Sequence, residues 1–127
     1  MVKTYDAIVV GGGLLGSAIS YGLAHLGLST AIVDEGDTSY RAAFGNFGLV
    51  WVQSKGIDYP AYSYWSMRSS DLWPKLAGDL RESTGVNTGH SRRGGVHICF
   101  SEEEFRERAE KMKTLASHKP DHFNFQM

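Results

Sequence analysis

Apolar and polar positions change period several times along this chain, and each change predicts an element. Ala7–Val10 ("AIVV") is a short β-branched run between turn-formers, the pattern of a strand buried on both faces as in a parallel sheet. Over residues 17–26, Ile19, Leu23 and Leu26 fall at helical spacing, and Gly27 supplies a C-terminal stop. Residues 29–34 ("STAIVD") read as a second buried strand. Strand, helix and strand together take about 30 residues, the length of a right-handed βαβ crossover.

Residues 36–60 lose any clear period. Their aromatic and apolar content ("FGNFGLVWV") argues for an ordered, irregular connection with a functional role. Helical spacing returns over 62–82, with Trp65, Leu72, Trp73, Leu76 and Leu80 on one stripe. Pro74 predicts a kink or a new segment there. Residues 94–101 ("GGVHICFS") read as a strand, paired as a hairpin with 86–93. Ser101 followed by Glu104 is a capping box, and Phe105, Ala109, Met112 and Ala116 continue a helix from it. The predicted class is α/β: a Rossmann-like βαβ unit with additional helices and a β-hairpin. Two parallel strands fall below the three an independent sheet needs, so the fold is expected to be incomplete as a domain, an N-terminal fragment or truncated product.

Composition narrows the function. Thirteen basic residues against 14 acidic ones, a net charge of −1, offer no electrostatic footprint for nucleic acid or an anionic membrane surface. No stretch approaches the roughly 20 apolar residues of a membrane span, and no signal peptide is evident. A single cysteine, Cys99, excludes an internal disulfide framework and fits a reducing cytoplasm. Placed in an apolar strand, it reads as a buried thiol. Of the five histidines only His118 and His122 have ligand-like spacing, with Pro120 between them, and they read as solvated side chains with no metal. Arg92 and Arg93 beside His90 read as a solvated hairpin turn, and Trp65 and Trp73 as core residues.

The chemistry concentrates in "GGGLLG". Gly11, Gly13 and Gly16 form a Gly-x-Gly-x-x-Gly pattern that follows a strand and opens a helix. Gly11 makes the tight turn, Gly13 lets a pyrophosphate approach the backbone, and Gly16 lets helix and sheet pack closely. The helix N-terminus then presents unpaired N–H groups and partial positive charge to phosphate. Asp34 stands 18 residues beyond Gly16, where a carboxylate can accept hydrogen bonds from an adenosine ribose. An acid there disfavours the 2′-phosphate of NADP and leaves NAD and FAD both open. An extended flavin dinucleotide needs protein beyond the βαβ unit. Residues 41–49 ("RAAFGNFGL") are placed to run back along it, with Gly45 and Gly48 permitting close approach. The competing reading of these residues is an Ω-type loop packed on Phe44 and Phe47.

The segments "YDAIVVGGGLLGSAISYGLA", "IVDEG", "GNFGLVWVQSKG", "SSDLWPKL" and "GGVHICFSEEE" resemble the D-amino acid oxidase-like FAD-dependent oxidoreductases, of the glycine oxidase and opine or hydroxyproline oxidase type. The resemblance covers nearly the entire chain up to about residue 118. It implies FAD as cofactor, with Gly11, Gly13, Leu14, Leu15 and Gly16 at the pyrophosphate and Asp34 with Glu35 at the adenosine ribose. It places Arg41, Ala42 and Ala43 along the phosphate and ribityl side, and Phe47, Gly48 and Leu49 near the flavin ring. Alanines at 42 and 43 depart from the serine or threonine often found there, and Phe44 is bulkier than usual, so contacts there fall to backbone N–H groups. The implied reaction moves hydride from the C–N carbon of a small amino acid or amine to flavin, giving an imine. The family's substrate-binding arginine and tyrosine belong to a later region, so no residue of this chain is nominated as catalytic. The implied organisation is a dinucleotide-binding unit with a flavin loop over 1–50, then a helical segment, the start of a substrate domain and a helix over 51–127. An NAD-dependent dehydrogenase fragment, or a non-catalytic truncated subunit needing partner chains in a homo- or hetero-oligomer, are the alternatives.

Overall fold

The structure, a computed structural model, describes residues 2–36, 42–122 and 125–126. The chain divides into two compact units, Met1–Leu49 and Val50–Met127.

In the first unit, β1 (Ala7–Val10) and β2 (Thr30–Val33) form a two-stranded parallel sheet joined through α1 (Leu14–His25). The register pairs Ala7 with Thr30 and Val10 with Val33. Ahead of the ladder, the Asp6 carboxylate accepts the Ser29 N–H at 2.8 Å, and Ser29 O accepts the Asp6 N–H at 2.9 Å. The helix ends as its glycine requires. Gly27 takes φ +78°, its N–H reaches Ala24 O at 2.9 Å, and the Leu28 N–H reaches Leu23 O at 3.2 Å. This is a Schellman closure, which satisfies carbonyls the last turn would otherwise leave bare.

Helix α1 packs on both strands, but on one face only. Ala7 and Val9 are half-buried, whereas Ile8 is 62% and Val10 84% exposed. The expectation of strands buried on both faces is therefore corrected. A strand turns successive side chains to opposite faces, and among the described residues a helix covers only one of them.

The second unit pairs α2 (Pro60–Thr84) with α3 (Glu102–His118). Its core is Val52, Met67 and Leu115, with Ile57 and Met112 partly buried against it. Pro60 opens α2 at a position where a missing N–H costs nothing. Pro74 lies inside α2 and starts no new segment. An interior proline costs about 3 kcal/mol. Anchors on both sides of it offset that cost: buried Ser63, Met67 and Ser70 with half-buried Trp73 before, half-buried Leu76 and Leu80 after. The predicted stripe is thus half right. Trp65 and Leu72 stay exposed at 66% and 57%, and small or flexible residues take the buried face.

The capping box of α3 forms. Ser101 Oγ accepts the Glu104 N–H at 3.1 Å, while the Glu104 carboxylate accepts the Phe100 N–H, one residue earlier than the reciprocal pattern, at 2.7 Å.

The hairpin over 86–101 does not form; no strand is present among the described residues of this segment. Local side chains take amides that a ladder would need: Thr84 Oγ1 accepts the Val86 N–H and Asn87 Oδ1 the Gly89 N–H. Val96, Ile98 and Phe100 remain 93%, 70% and 89% exposed. Cys99, expected as a buried strand thiol, is half-buried outside any strand.

The segment is instead tied to α2 by charge. Asp71 accepts hydrogen bonds from Arg92 Nη1 at 2.9 Å and His122 Nδ1 at 2.9 Å, with Lys119 Nζ at 3.3 Å. His90 stacks on Trp73 with ring centroids 5.9 Å apart. Arg92 is therefore an anchored side chain and not part of a solvated turn. His122, only 4% exposed at its side chain, is not solvated either, and His118 Nδ1 is buried.

Burial pushes the Asp71 carboxyl up, but the hydrogen bonds from His122, Arg92 and Lys119 and the charge of His122 outweigh it and hold the group down to about 2. A carboxylate depressed in the folded state stabilises the fold above its unfolded value of about 3.9. That contribution is lost as pH falls from about 4 through about 2. The Asp71 side chain is 35% exposed, and solvent screening limits the effect to about 1 kcal/mol or less. Urea unfolding of Asp71→Asn and the parent between pH 2 and 5 is expected to show a shallower acid loss in the variant. Parallel pH profiles would rule this out.

Candidate dinucleotide-binding site

The site is built where β1 ends and α1 begins. Gly11 leaves the strand with φ +99°, a conformation that side chains resist, while its N–H still extends the ladder to Val33 O at 2.8 Å. Gly13 is the N-cap of α1, extended at φ −70° and ψ −172°, with no side-chain cap and no acid in the first turn. The first intrahelical bond runs from the Ser17 N–H to Gly13 O at 2.9 Å. The amides of Leu14, Leu15 and Gly16 accordingly have no acceptor within the helix. Leu14 and Leu15 are 65% and 75% exposed, which leaves this positive helix end open.

The glycines have separate causes. A Cβ on Gly16 would sit 1.8 Å from Gly11 O and 3.3 Å from Val9 Cγ1, so only glycine lets α1 come this close to the strand exit. A Cβ on Gly13 would meet nothing within 4 Å; the space beside it is open. A tight fold behind the turn and open backbone before it fit a phosphate-bearing ligand.

Asp34 follows β2 directly. Its Oδ2 accepts the Gly12 N–H and its Oδ1 the Gly36 N–H at 3.0 Å. Glu35 is exposed beside it. Gly11, Gly12, Gly13, Gly16 and Asp34 are thus brought together across the parallel pair. Gly12, a free position in the sequence motif, is the residue that motif reasoning passes over. Its only signal is the third glycine in the run.

The proposed flavin loop is described from residue 42; Arg41 lies outside the described residues. Ala42 and Ala43 are exposed in a turn closed by the Gly45 N–H to Ala42 O at 3.2 Å. Gly48 donates to Asn46 Oδ1 at 2.7 Å, and Leu49 is 59% exposed. Phe44 and Phe47 are 79% and 82% exposed, which corrects the reading of a loop packed on these rings. Among the described residues no hydrogen bond or ion pair joins 42–49 to the glycine turn. Among them, too, no group of three or more His, Cys, Asp or Glu could hold a metal, and no helix is long and apolar enough to cross a membrane.

Comparison with known proteins identifies the family. Residues 6–124 match the model of the DAO family, FAD dependent oxidoreductase. The chain is 40% identical over 111 residues to a subunit of opine oxidase from Rhizobium meliloti, covering 87% of this chain and 30% of that protein. It is 29% identical over 117 residues to glycine oxidase of Bacillus licheniformis, covering 92% of this chain and 31% of that one. The crystal structure of glycine oxidase from Geobacillus kaustophilus superposes with a TM-score of 0.76 at 29% identity, over 91% of this chain and 31% of the enzyme. The chain therefore spans about three tenths of the length of the relatives it matches. This likeness decides for FAD over NAD and leads to one conclusion: the chain belongs to the DAO family of FAD-dependent oxidoreductases.

Proposed function

We propose that this chain binds the adenosine diphosphate half of FAD at the turn 11–16 and serves an oxidoreductase acting on the C–N bond of a small amino acid or amine. The observation that carries the proposal is the contrast between Gly16, closed against Gly11 O, and Gly13, open to solvent. In this reading the N–H groups of Gly13, Leu14, Leu15 and Gly16 receive the pyrophosphate. Asp34 and Glu35 hold the adenosine ribose, Arg41, Ala42 and Ala43 run along the phosphate and ribityl side, and Phe47, Gly48 and Leu49 approach the ring. The bound flavin supplies the two-electron acceptor that turns an amine C–N bond into an imine. The chain's own residues bind and orient the cofactor.

The uncovered Ile8 and Val10 face supports a second element: oxidation takes place in a larger polypeptide or a homo- or hetero-oligomer that covers this face. The single free cysteine, Cys99, supports a reducing, cytoplasmic setting.

Quenching of flavin fluorescence on titration tests the assignment. FAD is expected to bind and ADP to compete with it, whereas FMN, which lacks the adenosine half, competes weakly. Equal competition by FMN would move the site away from the glycine turn.

A further inference from the structure

We infer that Asp34 is a positioning residue for the glycine turn: it holds the Gly12 peptide in the ligand-ready arrangement. The consequence for affinity rests on the dinucleotide reading above; the strut itself does not.

Both oxygens of the Asp34 carboxylate are engaged by backbone, Oδ2 by the Gly12 N–H and Oδ1 by the Gly36 N–H at 3.0 Å. On its other side, Gly12 O accepts Ser17 Oγ at 3.1 Å from the opening turn of α1. The two peptide groups flanking Gly12 are thereby tied to the end of β2 and to the start of α1, the elements between which the turn must hold its shape. A Cβ at position 12 would lie 3.1 Å from Asp34 Oδ2, 3.2 Å from Cγ and 3.4 Å from Cβ. Such a Cβ would press the carboxylate back by a few tenths of an ångström, against the strut. At Gly13 the same test finds nothing within 4 Å. Adjacent glycines therefore meet unlike surroundings: open space beside Gly13, and beside Gly12 a carboxylate 22 residues away. Without the strut the Gly12 peptide is free to rotate, and the amides that follow it lose their common aim.

The test compares the parent chain with Gly12→Ala, Asp34→Ala and the double variant. By NMR-detected amide exchange without ligand, Gly12 is expected to exchange at least tenfold faster in Asp34→Ala, while the sheet amides of Val9 and Ile32 keep their rates. The ligand probe is 2′,3′-dideoxy-ADP, whose adenosine has no hydroxyl for Asp34 to receive. Its affinity is expected to fall severalfold in Asp34→Ala, a loss that a ribose contact alone cannot produce. Gly12→Ala is expected to lose less than Asp34→Ala, and the double variant no more than Asp34→Ala alone. Unchanged Gly12 exchange, equal binding of the dideoxy probe by parent and Asp34→Ala, or losses that multiply in the double variant would each overturn the inference. If the parent binds neither ADP nor the dideoxy probe, the dinucleotide reading fails, and the exchange measurement still decides the strut.

Discussion

Gly16→Ala is expected to cost the βαβ unit about 3 kcal/mol or more, at or above the usual upper end for overpacking. The added carbon would stand 1.8 Å from Gly11 O, a backbone atom that cannot rotate aside as a side chain could. Helix α1 would have to lift from the strand exit, breaking the contact that shapes the turn. Against a total stability of about 5–15 kcal/mol for a folded domain, this is a large fraction. Gly13→Ala is the matched control. Its Cβ meets nothing and its φ of −70° suits alanine, but alanine caps a helix less well than glycine, so a loss of no more than about 1 kcal/mol is expected. FAD affinity is nevertheless expected to fall tenfold or more, because the new methyl occupies the ligand's approach. Urea midpoints and FAD titrations of the two variants should therefore separate packing from binding. A Gly16→Ala chain as stable as the parent would contradict the packing role, and a Gly13→Ala chain with undiminished affinity would contradict the binding role.

Leu115→Ala is expected to destabilise the second unit by about 2–5 kcal/mol, the range for emptying a buried leucine site. Leu115 is fully buried, and among the described residues its cluster contains only Val52 and Met67 as further buried members, with Ile57 and Met112 at the margin. So small a core has little to rearrange into the void. Phe105→Ala on the same helix removes a larger side chain that is 43% exposed, and it is expected to cost less than half as much. Denaturation followed by helical circular dichroism reads both. Equal losses would show that α3 does not dock through Leu115.

How much of this is legible in the chain depends on the range over which each feature is decided. The turn at 11–16, the stop at Gly27 and the box from Ser101 to Glu104 are readable because each is settled within a few residues by backbone torsion or one local hydrogen bond. The α2 stripe misleads because hydrophobicity alone is a poor guide there. Ser63 and Ser70 are buried while Trp65 is not, since a helix-helix contact selects for what fits as well as for what is apolar. The hairpin misleads because alternation announces a willing strand but not a partner, and Arg92 is drawn to Asp71 instead. His122 gives no sign of burial, as the carboxylate that receives it lies 51 residues earlier.

Short-range periodicity and glycine torsion suffice to dictate a strand–turn–helix–strand unit with a glycine turn suited to phosphate, and two later helices with recognisable starts. They do not suffice for the contacts between distant groups. That Asp34 reaches Gly12, that Gly16 closes on Gly11 while Gly13 stays open, that Ile8 and Val10 stay exposed on one sheet face, and that Asp71 gathers Arg92, Lys119 and His122 all emerge only in three dimensions. Most of those outcomes depend on groups tens of residues apart being packed within hydrogen-bonding distance, and packing is a property of the whole unit that no local pattern encodes.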